Sequence, residues 1–224
     1  MNEARWDLRA EQIKVAKNVM MPPGQEYRAA HQMPPGNYTV RMIYDSDTTS
    51  KAFKLLEDPR DGIDLGVRKE KTAILHDMYN DLIEIYKSVD EIQQVRDQIN
   101  SLIKRVNDEE DITKLGKKIN SKVDSMEAEV ISPKQKTFQD IINFRNRIDF
   151  QLYNIYQTID ANLPPLTKGE KELYKELNAE WKKHELEINK IMEEEVPAFN
   201  KMLKEKGVPF IAPMKSKVVK KKGA

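Results

Sequence analysis

The sequence has 224 residues, with 38 lysines and arginines against 37 aspartates and glutamates, 39% hydrophobic residues and no cysteine. The lack of cysteine excludes a disulfide framework, a cysteine-ligated zinc site, an iron–sulfur cluster and thiol catalysis. No stretch approaches the ~20 apolar residues of a membrane-spanning helix, and the charged N-terminus does not read as a signal peptide. A charged fraction of 33% is typical of long amphipathic helices rather than of a large α/β enzyme core.

Residues 1–62 predict a β region. Residues 37–44 alternate after a Pro-Pro-Gly turn signal, so that Tyr38, Val40, Met42 and Tyr44 would face one way and Thr39, Arg41 and Ile43 the other. Residues 45–47 would turn the chain into a second strand over residues 48–56, and residues 6–9 would add a further short strand. So few strands cannot close a sandwich, which needs about seven. The sequence therefore predicts an incomplete sheet whose exposed edges are covered by helices or by a partner.

A long helix is predicted over residues 68–106, in a segment without proline. Positions at alternating spacings of three and four residues form a coiled-coil-like seam that is apolar at nine of ten positions. These positions are Leu75, Met78, Leu82, Ile85, Val89, Ile92, Arg96, Ile99, Ile103 and Val106. The exception, Arg96, must either reach solvent or pair with an acid from another helix.

Two further helices are predicted from the same apolar periodicity. The second would carry residues 112–130, with Asn107 or Asp108 as its N-cap. The third would run over residues 138–159, through Phe138, Ile141, Phe144, Ile148, Leu152, Ile155 and Ile159.

A fourth helix is predicted to begin after Thr167, whose side chain would form a capping box with Glu170. Its apolar face would carry Leu173, Leu177, Trp181, Ile188 and Ile191, together with His184. Pro197 would interrupt this helix, which continues for a turn or two before Gly207. Short connections favour antiparallel neighbours, so residues 63–213 predict an up-down helical bundle.

The last ten residues concentrate positive charge. Five lysines and no acid occur there, namely Lys215, Lys217, Lys220, Lys221 and Lys222. Without them the formal net charge changes from +1 to −4. Residues 214–224 therefore predict a disordered, basic tail. The alternative is a basic arm for nucleic acid or an anionic surface, but no aromatic residue is interleaved, and we expect no specific nucleic-acid binding.

Residues that could carry metal or acid–base chemistry are scattered. His76 and His184 have no second histidine at a helical spacing, so they are more typical of bundle residues than of metal ligands. The acidic runs at residues 108–111 and 193–195 are typical of a helix start and of a solvated face. No phosphate-binding loop, dinucleotide fingerprint, nucleophile elbow, zincin or EF-hand motif occurs. The sequence argues against an enzyme acting alone and predicts no catalytic, cofactor-binding or metal residue.

A polar cluster on the predicted third helix consists of Asn143, Arg145, Asn146 and Arg147. Side chains three and four residues apart on a helix surface commonly pair with one another. We therefore interpret this cluster as surface pairing rather than as a binding site.

Several short motifs together carry a family resemblance. They lie at residues 6–9, 34–41, 57–60, 136–144, 196–200 and 207–209. In this combination they resemble the C-terminal region of bacterial BNR-repeat, sortilin-like β-propeller proteins of the "glycosyl hydrolase" type. The resembling region comprises the end of an Ig-like domain and the helices that follow it, up to about residue 213.

The resemblance implies that a propeller precedes this region and that any glycosidase site would lie on the propeller. No Asp-box occurs here, so no catalytic residue is carried over. The resemblance also implies that the first Ig-like strands lie upstream of Met1. Propeller members of the family are exported, to the periplasm or the extracellular space. The missing signal peptide would then reflect a truncation or a split gene, or a chain that stays in the cytoplasm.

The predicted fold is thus α+β, with a partial Ig-like antiparallel β region followed by an antiparallel, coiled-coil-like four-helix bundle. The predicted function is a non-catalytic C-terminal accessory and interaction module. Its protein partner would be an upstream propeller or Ig-like portion, or a second copy. Two alternatives stay open. One is a part of a glycoside hydrolase whose active site lies on a missing propeller, and the other is a free-standing helical scaffold or anionic-surface binder.

Overall fold

A computed structural model describes residues 3–22, 25–60, 62–106, 109–209 and 211, with β structure first and helices after it. The chain is α+β, as predicted. The strands are β1 (Ile13–Lys14), β2 (Tyr27–Arg28), β3 (Gly36–Tyr44) and β4 (Asp47–Leu55). The helices are α1 (Leu65–Ile103), α2 (Glu110–Val130), α3 (Asp140–Asn143), α4 (Ile148–Ala161), α5 (Lys168–Lys190) and α6 (Val196–Glu205), with a π-helical turn (Ile191–Glu195) between the last two. The predicted tail lies outside the described residues.

Helix α1 supplies the centre of the core. Seven of its predicted seam residues are buried, namely Leu75, Met78, Leu82, Ile85, Val89, Ile92 and Ile99. The helix contacts α2, α4 and α5 along this seam. It begins three residues before the predicted start because the Asp64 side chain accepts from the amides of Gly66 (2.8 Å) and Val67 (3.2 Å). No helix of the described ranges is both long and apolar enough to cross a bilayer.

The capping box at the start of α5 is confirmed. The Glu170 amide donates to the Thr167 hydroxyl (3.2 Å), and the Thr167 amide donates to the Glu170 carboxylate (2.7 Å). The N-cap of α2 is Glu109, which makes no side-chain capping bond. The predicted caps Asn107 and Asp108 lie outside the described residues.

The predicted third helix is wrong in its first half. Only α3, of four residues, forms there, and α4 begins at Ile148. The buried side chain of Gln135 donates to the carbonyl of Phe144 (3.2 Å) and to Oδ1 of Asn146 (2.9 Å). Polar side chains that bind nearby backbone in this way compete with helix formation. The segment therefore folds as a hydrogen-bonded loop, and the periodicity of its apolar residues does not report a buried face.

The last helix is interrupted just before Pro197 and continues beyond it, to Glu205. The π-helical turn connects α5 to α6, and Pro197 lies in the first turn of α6, where its missing N–H costs least. The extra residue per turn shifts the register, so that Val196, Phe199 and Leu203 are all buried. α6 is followed by Gly207, whose φ of +68° is readily adopted by glycine at a helix end.

The part of the N-terminal segment around β1 packs onto the helices rather than onto the long hairpin. β1 pairs with β2, while β3 pairs with β4, in two separate antiparallel sheets. Ile13 and Ala16 are buried in the same core as the helices. The predicted strand at residues 6–9 forms only as one bridge from Arg9 to Gln32, because Leu8 has a φ of +61°, which lies outside the β region.

Helices α1 and α2 approach each other closely at Gly116. A Cβ at this position would lie 2.9 Å from Ile99 Cγ2 and 3.1 Å from Ile103 Cδ1. We expect Gly116→Ala to lower the free energy of unfolding by about 1–3 kcal/mol, measured by urea denaturation. The matched control is Gly169→Ala in α5, where a Cβ meets nothing within 4 Å. Gly169→Ala should raise the free energy of unfolding by about 0.5–1 kcal/mol. If both variants changed the free energy of unfolding in the same direction, the close approach at Gly116 would be contradicted.

Candidate functional site

The β3–β4 hairpin is the most exposed ordered element of the described chain. Its two nine-residue strands pair in register from Gly36 opposite Leu55 to Tyr44 opposite Asp47. The two-residue turn places Asp45 at a φ of +50°, a region that aspartate tolerates better than most residues. β3 and β4 pack almost entirely against each other, and neither packs on a helix of the described ranges. A two-stranded hairpin of this kind is at best marginally stable by itself.

One face of the hairpin carries uncovered apolar side chains from β3, opposite Lys51, Thr49 and Asp47 of β4. Val40 is 57% exposed, Met42 64% and Tyr44 74%, all on the face predicted by the alternation of the sequence. Ile43, on the opposite face, is 68% exposed beside the polar side chains of Thr39 and Arg41. Exposed apolar side chains on an open sheet are typical of a surface that another protein covers.

The hairpin is covered at the end opposite its turn, which we call its foot, around Tyr38 and Phe53. The Trp6 ring lies 5.5 Å from the Tyr38 ring and 6.1 Å from the Phe53 ring, measured between centroids. The Trp6 indole N–H donates to the carbonyl of Arg9 (2.8 Å), and the Tyr38 hydroxyl donates to the carbonyl of Pro34. These contacts pack the start of the described chain against the hairpin residues Tyr38 and Phe53.

Asp160 of α4 anchors the chain just before the hairpin. Its carboxylate accepts from the Arg9 guanidinium (2.8 Å) and from the Gln32 amide (3.0 Å). The neighbouring His31 is buried, its amide donates to the Tyr156 hydroxyl oxygen (2.6 Å), and its ring lies edge-on to that of Tyr156. Burial lowers the pKa of His31, and the Asp160 charge opposes this only partly. His31 is therefore neutral near pH 7 and belongs to the anchor.

A second anchor is a buried ion pair between Arg28 of β2 and Asp149 of α4. Arg28 Nη2 lies 3.5 Å from Asp149 Oδ2, and the two side chains are 5% and 4% exposed. The guanidinium stacks over Tyr153, 4.5 Å from the ring centroid, and the Tyr86 hydroxyl donates to Asp149 Oδ2 (3.3 Å). Burial raises the pKa of Asp149 to about 6, although the Arg28 charge lowers it.

A cleft of about 580 Å³ lies between the foot of the hairpin and the ends of α1 and α4. Two of its cations already have partners. The Arg9 guanidinium binds Asp160 and the carbonyl of Ala30 (2.6 Å), while Lys71 Nζ donates to the carbonyls of Asp160 (3.0 Å) and Asn162 (2.5 Å). Burial lowers the pKa of Lys71. The polar side chains that line the cleft thus connect the segments beside the hairpin to the helices.

The residues considered for metal or acid–base chemistry do not come together. His76 is exposed on α1, and His184 Nε2 lies 3.8 Å from Glu180 one turn away on α5. The part of the chain that the structure describes holds no cluster of three or more metal-ligating side chains. In the acidic runs, Glu109 pairs with Lys206 (2.5 Å) and Glu195 pairs with Lys122. Residue 108 lies outside the described ranges.

Arg96 follows one of its two predicted alternatives. Its guanidinium pairs with Glu127 and with Asp124 (2.9 Å) on α2. Glu127 is almost fully buried and also accepts from the side-chain amide of Gln93 (2.7 Å). The arginine therefore joins α1 to α2 and is not available to a ligand.

The predicted helix-surface pairing of Asn143, Arg145, Asn146 and Arg147 is wrong, because Asn143 ends α3 and the other three lie between α3 and α4. Arg147 pairs instead with Glu129 of α2 (2.9 Å). The Ser132 hydroxyl donates to the carbonyl of Arg145 (2.7 Å). The cluster thus consists of loop contacts rather than of neighbours on one helix.

No protein-family model, curated protein or solved structure significantly matches this chain. The resemblance to BNR-repeat, sortilin-like proteins rests on the motifs in the sequence alone. It therefore stays a prediction.

Proposed function

We propose that this chain is a non-catalytic accessory module that binds a β-rich protein partner through the β3–β4 hairpin. The observation that carries the proposal is the row of exposed apolar side chains Val40, Met42 and Tyr44 on β3, which no helix of the described ranges covers. Three or more strands with a covered apolar face are needed for an independently stable sheet. A partner that adds strands to the hairpin would supply both the additional strands and the cover for the exposed apolar side chains.

The resemblance suggests what the partner is. In this proposal the hairpin is part of an Ig-like sheet, and the remaining strands come from a BNR-type propeller and Ig-like polypeptide. Helices α1, α2, α4 and α5 act as an antiparallel, coiled-coil-like four-helix bundle that holds the hairpin through Asp160 and Asp149. Main-chain pairing at a sheet edge supplies affinity, and the alternate side chains supply specificity.

The test is binding of the full chain to a purified propeller and Ig-like polypeptide, measured by titration calorimetry. We expect Met42→Ser/Tyr44→Ser to weaken binding at least about tenfold, since it removes two large apolar contacts. The matched control is Leu186→Ser on α5, because Leu186 is 69% exposed but lies away from the hairpin. This control should bind like the parent protein.

Hydrogen exchange locates the contact. The amides of residues 36–55 should exchange rapidly in the separate chain and slowly in the complex. Equal binding by both variants, or hairpin amides that stay unprotected, would contradict the proposal. Concentration-dependent self-association that Met42→Ser/Tyr44→Ser abolishes would instead identify a second copy as the partner.

The interpretation as part of a glycoside hydrolase is carried by the resemblance alone. The interpretation as a binder that uses the lysine tail depends on residues 214–224, which lie outside the described ranges. Neither is favoured by a contact within the described residues.

A further inference from the structure

A second exposed apolar patch lies on the loop between α2 and α4, which we call the basic loop (residues 132–147). Ile142 is 87% exposed and Phe138 is 60% exposed. Exposure of this degree means that both side chains protrude from the surface. The same loop borders a cavity of about 280 Å³, with Pro133 and Phe144 among its lining residues. These features are independent of the hairpin.

The basic loop is held in one conformation by hydrogen bonds. The carboxylate of Asp140 accepts from the amides of Lys136 and Thr137, both at 2.8 Å. Gln135, which is 4% exposed, binds the loop from inside through Phe144 and Asn146. The protruding side chains are therefore presented by an ordered backbone, which lowers the entropic cost of binding.

The net charge of the basic loop is opposite in sign to that of the rest of residues 1–214. It carries Lys134, Lys136, Arg145 and Arg147 against the single acid Asp140. Residues 1–214 as a whole have a net charge of −4, so outside this loop they hold seven more acids than cations. Lys134, Lys136 and Arg145 are exposed, whereas Arg147 is half-buried and pairs with Glu129. Charge complementarity therefore points to an anionic ligand.

We propose that the basic loop binds an anionic lipid surface. Phe138 and Ile142 enter the headgroup region, while Lys134, Lys136 and Arg145 lie against lipid phosphates. Apolar insertion combined with a basic cluster is the pair of signals that peripheral membrane binding needs. A stable protein interface buries more than about 1,000 Å², which two protruding side chains do not supply. A bilayer interface has no such minimum area, because each apolar side chain can insert among the lipids separately.

The test is partitioning of the full chain onto vesicles, measured by co-sedimentation. One set contains phosphatidylcholine alone, and the other contains phosphatidylcholine with phosphatidylglycerol. We expect preferential binding to the anionic vesicles, and Phe138→Ser/Ile142→Ser to weaken it about tenfold or more. Both residues are exposed, so the variant should fold, which circular dichroism verifies. Lys134→Gln/Lys136→Gln should weaken binding and reduce its sensitivity to salt.

The matched control is Leu163→Ser/Leu186→Ser, which removes two exposed leucines (73% and 69%) elsewhere on the surface. Every protein in the series keeps the same C-terminal lysines, so their attraction to the vesicles is common to all. Equal binding by the two serine double variants would overturn the proposal, since charge alone would then explain it. Self-association in sedimentation that only Phe138→Ser/Ile142→Ser abolishes would also overturn it, by assigning the patch to a protein contact.

Discussion

Replacing Arg28 by alanine should lower the free energy of unfolding by about 3–5 kcal/mol at neutral pH. The substitution leaves the carboxylate of Asp149 buried without its ion partner. It also removes the guanidinium from the rings of Tyr153 and Tyr86, which lie 4.5 Å and 5.5 Å from it. Because Arg28 lies on β2, the loss should detach the N-terminal segment from α4. Urea denaturation at neutral pH measures the effect.

Two controls separate the buried charge from general damage. Arg28→Met/Asp149→Leu removes both charges and keeps apolar volume, so it should be far less destabilising than Arg28→Ala. Arg5→Ala removes an ion pair whose arginine is 86% exposed, and it should leave stability unchanged. An Arg28→Ala protein as stable as Arg5→Ala would show that the buried pair does not hold the segment.

Replacing Asp149 by asparagine should change how stability depends on pH. Burial raises the pKa of Asp149 from its ordinary 3.8 to about 6 in the folded protein. The folded state therefore keeps a proton that the unfolded state releases between about pH 4 and pH 6. The stability that this proton binding contributes is present below pH 4 and is lost as the pH rises through 6. As the pH rises through this range, the free energy of unfolding of Asp149→Asn should increase by up to about 3 kcal/mol relative to that of the wild type.

The difference between the two proteins is the quantity to measure, by denaturation at several pH values. Other carboxylates titrate in both proteins. Hydrogen bonds from the Lys136 and Thr137 amides lower the pKa of Asp140, for example, which adds stability as the pH rises. Such contributions cancel in the difference. A difference that stays constant from pH 4 to pH 7 would contradict the raised pKa of Asp149.

Local signals in the sequence predicted several elements closely. The alternation around Val40 predicted the hairpin, and the spacing of apolar residues predicted the buried face of α1. The pair Thr167 and Glu170 predicted the start of α5. Each of these depends on residues near one another in the chain, so periodicity and capping chemistry are sufficient to find them.

The candidate interaction surfaces were less predictable. The sequence predicted an uncovered sheet, but Phe138 was assigned to the apolar face of a helix and Ile142 was not singled out. That assignment failed because the side chains of Gln135 and Asp140 bind the backbone and replace the helix with a loop. His31 was missed as an anchor residue because its partner Tyr156 lies 125 residues away, and no spacing pattern reports that contact.

By itself, the sequence determined the α+β order, the long seam of α1 and the absence of thiol chemistry, because composition and local periodicity depend on neighbouring residues alone. The tertiary structure decided which apolar side chains stay exposed and which charges are buried. Arg28 and Asp149 are two charged residues among 75 in the sequence, and only folding brings them together across 121 positions. Contacts at such separations depend on how β2 and α4 pack, and no pattern within either segment contains that information.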